Sequence, residues 1–261
     1  VAADDVVGLF DTTPVAAEAV SQLSAARAAA RPTQVWTNAL QGYAAPMTSS
    51  QAAAVAADPQ VASIEPDGVV TTQVTQQNPP WGVDRIDQAA LPLSATYTYT
   101  ATGAGVRAYV IDTGIRFSHV DFGGREVSGF DAIDGGTADD CHGHGTHVSS
   151  TLGGNTFGVA KGVQLIAVRV LDCNGSGATS GVISGIDWAV GNHQAGQPAV
   201  ANLSLGGGAS SAVDAAINRL VSDGVSVSVA AGNSNANACN SSPARVPAAL
   251  PVAASTINDA L

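Results

Sequence analysis

The rhythm of apolar and polar positions changes twice along this 261-residue chain. Over roughly the first 70 residues, short apolar runs at 6–10, 34–37, 43–47 and 61–65 alternate with Ala-rich stretches at 15–30 and 49–57 that have helical spacing. The predicted order is β-α-β-β-α-β, the split arrangement of a small ferredoxin-like module, which is marginal as an independent fold. Residues 70–80 are polar, uncharged and close on Pro79-Pro80, which is linker composition. From Trp81 onward strands alternate with helices, the pattern of a parallel sheet covered on both faces. Strands are expected at 106–111, 164–171, 200–205, 225–231 and 250–256. Val213, Ile217, Leu220 and Val221 share one face of a predicted helix that Gly224 closes. Two domains follow, 1–73 and 74–261: a small α+β domain ahead of a larger three-layer α/β domain.

Composition narrows the function classes. Charged residues are 12% of the chain, and 21 acidic side chains against 10 basic ones give a net charge of -11. Without a basic cluster, a nucleic-acid partner is excluded. No apolar stretch is long enough to span a bilayer, so no membrane partner is expected. The chain opens on Val1-Ala2-Ala3 without a signal core, so any secretion signal is expected to have been removed or omitted. Three cysteines allow at most one internal disulfide and leave one thiol over.

In an open parallel sheet, ligands bind beyond the carboxyl ends of the strands. Asp112, after Tyr109-Val110-Ile111, stands at such an end, where a carboxylate can orient a histidine or merely cap a turn. In Cys141-His142-Gly143-His144-Gly145-Thr146-His147 three of the five histidines fall together. Two readings stand: zinc bound by Cys141, His142, His144 and His147, though in none of the familiar ligand spacings, or a glycine-flanked general base at His144 entering a helix, with His147 in the core. Val229-Ala230-Ala231-Gly232-Asn233 ends a strand in small residues and an amide, which is either a turn or a pocket with an oxyanion donor. Ser204-Leu205-Gly206-Gly207-Gly208 ends another strand in glycines whose backbone can line a peptide groove.

Together, Val-Ile-Asp-Thr-Gly-Ile, Gly-His-Gly-Thr-His-Val, Ser-Leu-Gly-Gly-Gly and Ala-Ala-Gly-Asn resemble, in order, the motifs of the subtilisin-like serine proteases, in particular the proteinase K and aqualysin branch. The stretches 80–88 and 168–177 strengthen the likeness, which covers nearly the whole chain. The resemblance implies a subtilisin-like domain preceded by a propeptide that acts as its intramolecular inhibitor. It implies Asp112 as the orienting acid, His144 as the base and Asn233 as the oxyanion donor. Gly175, Ser176 and Gly177, with Ser204, Leu205 and Gly206, would clamp an extended peptide or protein substrate, and Ala230, Ala231 and Gly232 would wall the specificity pocket. Cys141 and Cys173 match a disulfide pair, fitting a secreted, extracellular protein. Cys239 resembles a cysteine whose partner lies downstream. Asp84, Asp87 and Gln88 match part of a structural calcium site, although Ser94 and Thr96 stand where relatives supply further ligands. Pro247 and Ala249 match carbonyl donors of a second such site. The protein is expected to be a monomer that needs no catalytic cofactor, and in a full-length relative the precursor is expected to cut itself between Val70 and Gln77.

One feature departs from the family. Its nucleophile lies in Gly-Thr-Ser-Met-Ala, and no Gly-Thr-Ser occurs here. The 261 residues alone are therefore expected to be inactive, being either the front of a longer enzyme, a propeptide-type inhibitor and folding helper, or a non-catalytic pseudoprotease. An aspartic protease would need Asp-Thr-Gly twice, and it occurs once.

Overall fold

A computed structural model describes residues 5–10, 32–67 and 73–260, with side chains from residue 32 onward. The chain divides into two compact units, Val1–Thr71 and Thr72–Leu261.

The first unit holds an antiparallel sheet of β1 (Asp5–Phe10), β2 (Gln34–Trp36), β3 (Gly42–Pro46) and β4 (Val61–Pro66) in the order β2-β3-β1-β4. This is the ferredoxin-like arrangement that the apolar pattern predicts; the helix expected at 15–30 lies outside the described residues. Helix α1 (Ser49–Ala56) begins in a capping box: the Thr48 hydroxyl accepts from the Gln51 amide, and the Gln51 side chain accepts from the Thr48 amide at 2.8 Å. It delivers Val55 to Tyr43, Ala45 and Met47, a core of four buried side chains.

In the second unit β5 (Val74–Gln77) pairs with β6 (Thr96–Tyr99). The linker expected at 70–80 is thus corrected over 74–77: polar threonines and glutamines make a strand because the partner Thr96–Tyr99 satisfies their backbone. After α2 (Trp81–Arg85), six parallel strands form one sheet: β7 (Arg107–Asp112), β8 (Glu126–Asp131), β9 (Gln164–Arg169), β10 (Ala199–Leu203), β12 (Ser226–Ala230) and β14 (Leu250–Val252). Their order is β14-β12-β10-β7-β9-β8. The two-residue strands β11 (Gly207–Gly208) and β13 (Ser241–Ser242) pair beside it.

β7 is central, and from Ala108 to Asp112 every residue is buried. Tyr109 and Ile111 face the core beneath α4 (Thr179–Asn192) and α5 (Ser211–Ser222), while Ala108 and Val110 face the opposite core, against Val148 and Leu152 of α3 (His144–Gly153). A strand buried on both faces loses its alternation and reads as a continuous apolar run. Ser210 caps α5, and Gly224, at φ +97°, ends it with bonds from Gly224 N to Val221 O and Val225 N to Leu220 O. That is a Schellman close, and it turns Val213, Ile217 and Leu220 inward as their spacing predicts. Burying Ile217 alone is worth about 1.5–3 kcal/mol. Among the described residues, no helix is long and apolar enough to cross a membrane.

Candidate active site

β7 ends on Asp112, which is fully buried. Its Oδ1 accepts from the Thr113 amide at 2.7 Å and faces His144 Nδ1 at 2.7 Å, while its Oδ2 is buried without a partner among the described residues. A carboxylate only accepts, so the Nδ1 of His144 carries the proton of this bond, and in the neutral ring the lone pair is on Nε2. The ring is 42% exposed, and Nε2 makes no hydrogen bond to a described residue. A buried acid thus orients an accessible basic nitrogen, the arrangement a general base needs.

Glycines allow this approach. Gly143 precedes α3 at φ +101°, a conformation costly for a residue with a Cβ. A Cβ on Gly145 would collide with Gly114 O, so the first turn of α3 can reach the end of β7 only with glycine there. His147 is exposed, not in the core as expected: Gly145, Thr146, Ser149, Ser150 and Gly153 form the buried face of the helix and His147 falls outside it.

His144 borders a cleft of about 510 Å³, within the range of ligand sites. Gly175, Ser176 and Gly177 line it from the loop after β9; Ser204, Leu205 and Gly206 line it from the end of β10. Asp172, to which the sequence pattern of 168–177 assigns no role, shapes the first edge: its Oδ1 accepts from the Asn174 amide at 2.8 Å and the Ser176 amide at 3.0 Å. Those two amides hold its carboxyl below the usual range. Ala230 ends β12, two strands from β7, and Ala231, Gly232 and Asn233 follow it on the same carboxyl side, with Asn233 exposed. They are not among the residues bordering this cleft.

Cys141 and Cys173 are joined, tying the loop before His144 to the loop bearing Gly175. The Arg169 guanidinium packs behind them, 2.9 Å from Asp131, 3.0 Å from Asp134 and 3.4 Å from Cys141 Sγ. With Cys141 bonded to Cys173, the zinc reading loses one of its four ligands. Cys239 is free and exposed.

The residues matched to calcium do not fit a cation cage. Asp84 Oδ1 accepts from the amide and hydroxyl of Ser94, its Oδ2 from the Ala95 amide at 2.8 Å, and Asp87 Oδ2 from the Thr98 amide at 2.6 Å. Gln88 Oε1 accepts from the Ser94 amide at 2.9 Å. Calcium needs six to eight oxygens, whereas here N–H groups fill much of the coordinating space and the set anchors the 94–98 segment. Among the described residues no three His, Cys, Asp or Glu side chains are grouped to hold a metal.

Comparison with known proteins places the chain in a family. The profile of the Peptidase inhibitor I9 family matches residues 11–73, and that of the Subtilase family matches residues 103–261. An extracellular serine proteinase of Thermus sp. (strain Rt41A) is 56% identical over 88% of this chain and 56% of its own length. An alkaline serine exoprotease A of Vibrio alginolyticus is 50% identical over 87% of this chain and 43% of its own. The chain therefore spans about half the length of these curated relatives. A crystal structure of a cold adapted subtilisin-like serine proteinase aligns with a TM-score of 0.67 at 56% identity, over 69% of this chain and 66% of that one. With its profile matched over more than half of the residues, this chain belongs to the subtilase family.

Proposed function

We propose that this chain is the inhibitory domain and the leading part of the catalytic domain of a secreted serine endopeptidase, with Asp112 as orienting acid and His144 as base. The 2.7 Å contact between them, with Nε2 left open toward the cleft, carries the reading. The nucleophilic serine is assigned to a segment other than these 261 residues, which contain no Gly-Thr-Ser. An extended peptide lies between the edges at Gly175–Ser176–Gly177 and Ser204–Leu205–Gly206. His144 Nε2 takes the proton of the serine hydroxyl as its oxygen attacks the peptide carbonyl, and the imidazolium so formed is stabilised by Asp112. Asn233 donates to the oxyanion, with Ala230, Ala231 and Gly232 walling the pocket for the side chain before the scissile bond. His144 then protonates the leaving amine, and water clears the acyl-enzyme. The N-terminal unit serves as the intramolecular inhibitor, a reading that its match to the inhibitor family supports. Secretion is supported by the Cys141–Cys173 disulfide and by the name of the Thermus relative.

A fluorophosphonate probe tests the assignment. The 261-residue chain should remain unlabelled, and a form extended through the family's Gly-Thr-Ser segment should label at one serine and lose that label on His144→Ala. Labelling of the 261-residue chain at any serine would overturn the assignment of the nucleophile. Absence of labelling in the extended form would favour an inhibitor or pseudoprotease.

A further inference from the structure

Helix α3 opens on the proposed base without a capping side chain of its own, because its N-cap is Gly143. The first amides of a helix still need acceptors. The amide of Gly145 finds Thr113 Oγ1 at 2.9 Å, and that of Thr146 finds Asp140 Oδ2 at 2.9 Å. Asp140 also accepts from the amides of His142 at 2.9 Å and Gly143 at 2.8 Å, and from the hydroxyls of Thr113 at 2.9 Å and Thr146 at 2.5 Å. Five donors from the loop, the helix and the end of β7 thus meet one carboxylate.

The direction of these bonds matters. A carboxylate accepts only, so the hydroxyls of Thr113 and Thr146 must point their hydrogens at Asp140. Each hydroxyl oxygen then turns a lone pair outward: Thr113 Oγ1 receives the Gly145 amide, and Thr146 Oγ1 receives the Arg116 amide at 3.0 Å. Thr113 follows Asp112 and Gly145 follows His144, so the Thr113–Gly145 bond brackets the acid–base pair one residue beyond each member. Burial raises the pKa of Asp140, but the bonds from Gly143, Thr146 and Thr113 outweigh it and hold the carboxyl below its usual range.

We propose that Asp140 is a positioning residue of the active site, which sets the polarity of the Thr113 and Thr146 hydroxyls and thereby holds His144 Nδ1 on Asp112. The inference rests on the reading of His144 as base, and it goes beyond that reading by assigning the alignment of the pair to a carboxylate that hydrogen-bonds to neither partner. Asparagine is not an adequate replacement. Its NH₂ group would face hydrogen donors whichever way the amide turned, because both oxygens of Asp140 are in use.

The test is the hydrogen exchange of histidine ring N–H groups, read by proton–nitrogen NMR on the 261-residue chain. His193, whose ring nitrogens face Asp223 and Gln197 O, is a reference for intact folding within the same molecule. Asp140→Asn and Asp140→Ala should make the His144 Nδ1–H exchange about tenfold faster or more, the scale set by losing one charge-assisted bond, with the His193 signals unchanged. Ile217→Val, a loss of core packing in α5, should lower the melting temperature without moving His144. If the Asp140 variants do not fold, as loss of the His193 signals would reveal, Thr113→Val decides, because it removes the hydroxyl through which Asp140 acts and keeps the shape. Unchanged His144 exchange in folded Asp140 variants, or in Thr113→Val, overturns the inference and leaves the base assignment standing. Absence of a protected Nδ1–H in the unmodified chain overturns both.

Discussion

The parallel sheet carries a His–Asp pair at each end, and the two pairs differ in what they leave unspent. At the carboxyl end His144 lies 2.7 Å from Asp112, with its side chain 42% exposed and Nε2 open. At the amino end His193, the C-cap of α4, lies 2.9 Å from Asp223, the C-cap of α5, and its side chain is 2% exposed. The Nε2 of His193 faces Gln197 O at 2.9 Å. Both its nitrogens therefore face acceptors and both must carry protons, which makes the ring an imidazolium clasp between two helix ends. The Gln197 carbonyl and Asp223 raise its pKa against burial and the nearby Arg107, while His193 and Arg219 lower that of Asp223. A short His–Asp contact is thus no mark of catalysis in itself. The atom left without a partner, facing a cleft, is what separates a base from a clasp.

Substitution should separate the pairs most sharply. In a form that also carries the serine, His144→Ala should lower turnover by roughly a millionfold, a magnitude taken from subtilisin, the family's reference enzyme. His193→Gln should leave turnover per folded molecule unchanged and lower the melting temperature by several degrees. Equal losses of turnover from the two would erase the distinction.

The disulfide supports one pair only. Cys141–Cys173 closes a separation of 32 residues, and its removal by Cys141→Ser with Cys173→Ser should cost about 3–4 kcal/mol, measured by denaturant unfolding. In the double variant the ring N–H signal of His144 should exchange faster, while those of His193 hold. A change confined to His193 would contradict the placement of the cross-link beside the cleft.

Acidity should separate the clasp again. The pKa of His193 is raised above the ordinary 6.5, so its contribution is fully present below about that value and is lost as pH rises through the higher folded value. The pKa of Asp223 is lowered, so its contribution is present above the ordinary 3.8 and is lost as pH falls through the folded value. The clasp is strongest between those limits. Melting temperature followed from pH 5 to pH 9 should decline less in His193→Gln than in the unmodified chain, and parallel curves would sink the clasp.

How much of this is legible in the sequence depends on how each element earns its place. β7 and β9 are apolar because they are buried, β12 alternates serine with the buried Val227 and Val229, and α5 has a clean apolar stripe, so periodicity finds them. β8 is not legible: it is an edge strand with polar positions, and its Gly129 makes room for Trp188. α4 is obscured by glycines, of which Gly185 is required because a Cβ there would press into Val170 and Val168. In the site, Asp112 and His144 stand out by motif. Asp140 and Asp172 do not, because their work is to accept backbone amides, and that depends on a loop shape that no periodicity announces. Asp140 has one local signal: a carboxylate just ahead of a helix start is a capping pattern.

The smallest effect tests the rule at a site where the resemblance and the geometry disagree. If an unspent atom marks function, the oxygens of Asp84, Asp87 and Gln88 that already accept hydrogen bonds should behave as structure. Asp84 already accepts three hydrogen bonds, from Ser94 N, Ser94 Oγ and Ala95 N, and a carboxylate has about four lone-pair positions. Calcium binding there would require the Ser94 and Ala95 amides to turn away first, so each bond gained by the cation would be set against one lost. Adding millimolar calcium, or removing divalent ions with EDTA, should therefore move the melting temperature of this chain by less than about one degree, since the free energy of one ligand bound weakly near its dissociation constant is a fraction of a kcal/mol. Asp84→Asn should cost more than either, because one of its two arms would then present N–H groups to the donors now bound to it. A calcium-dependent rise of several degrees, abolished by Asp84→Asn, would show that these oxygens leave their amides for a cation, and satisfied hydrogen bonding would then no longer suffice to tell a structural carboxylate from a ligand.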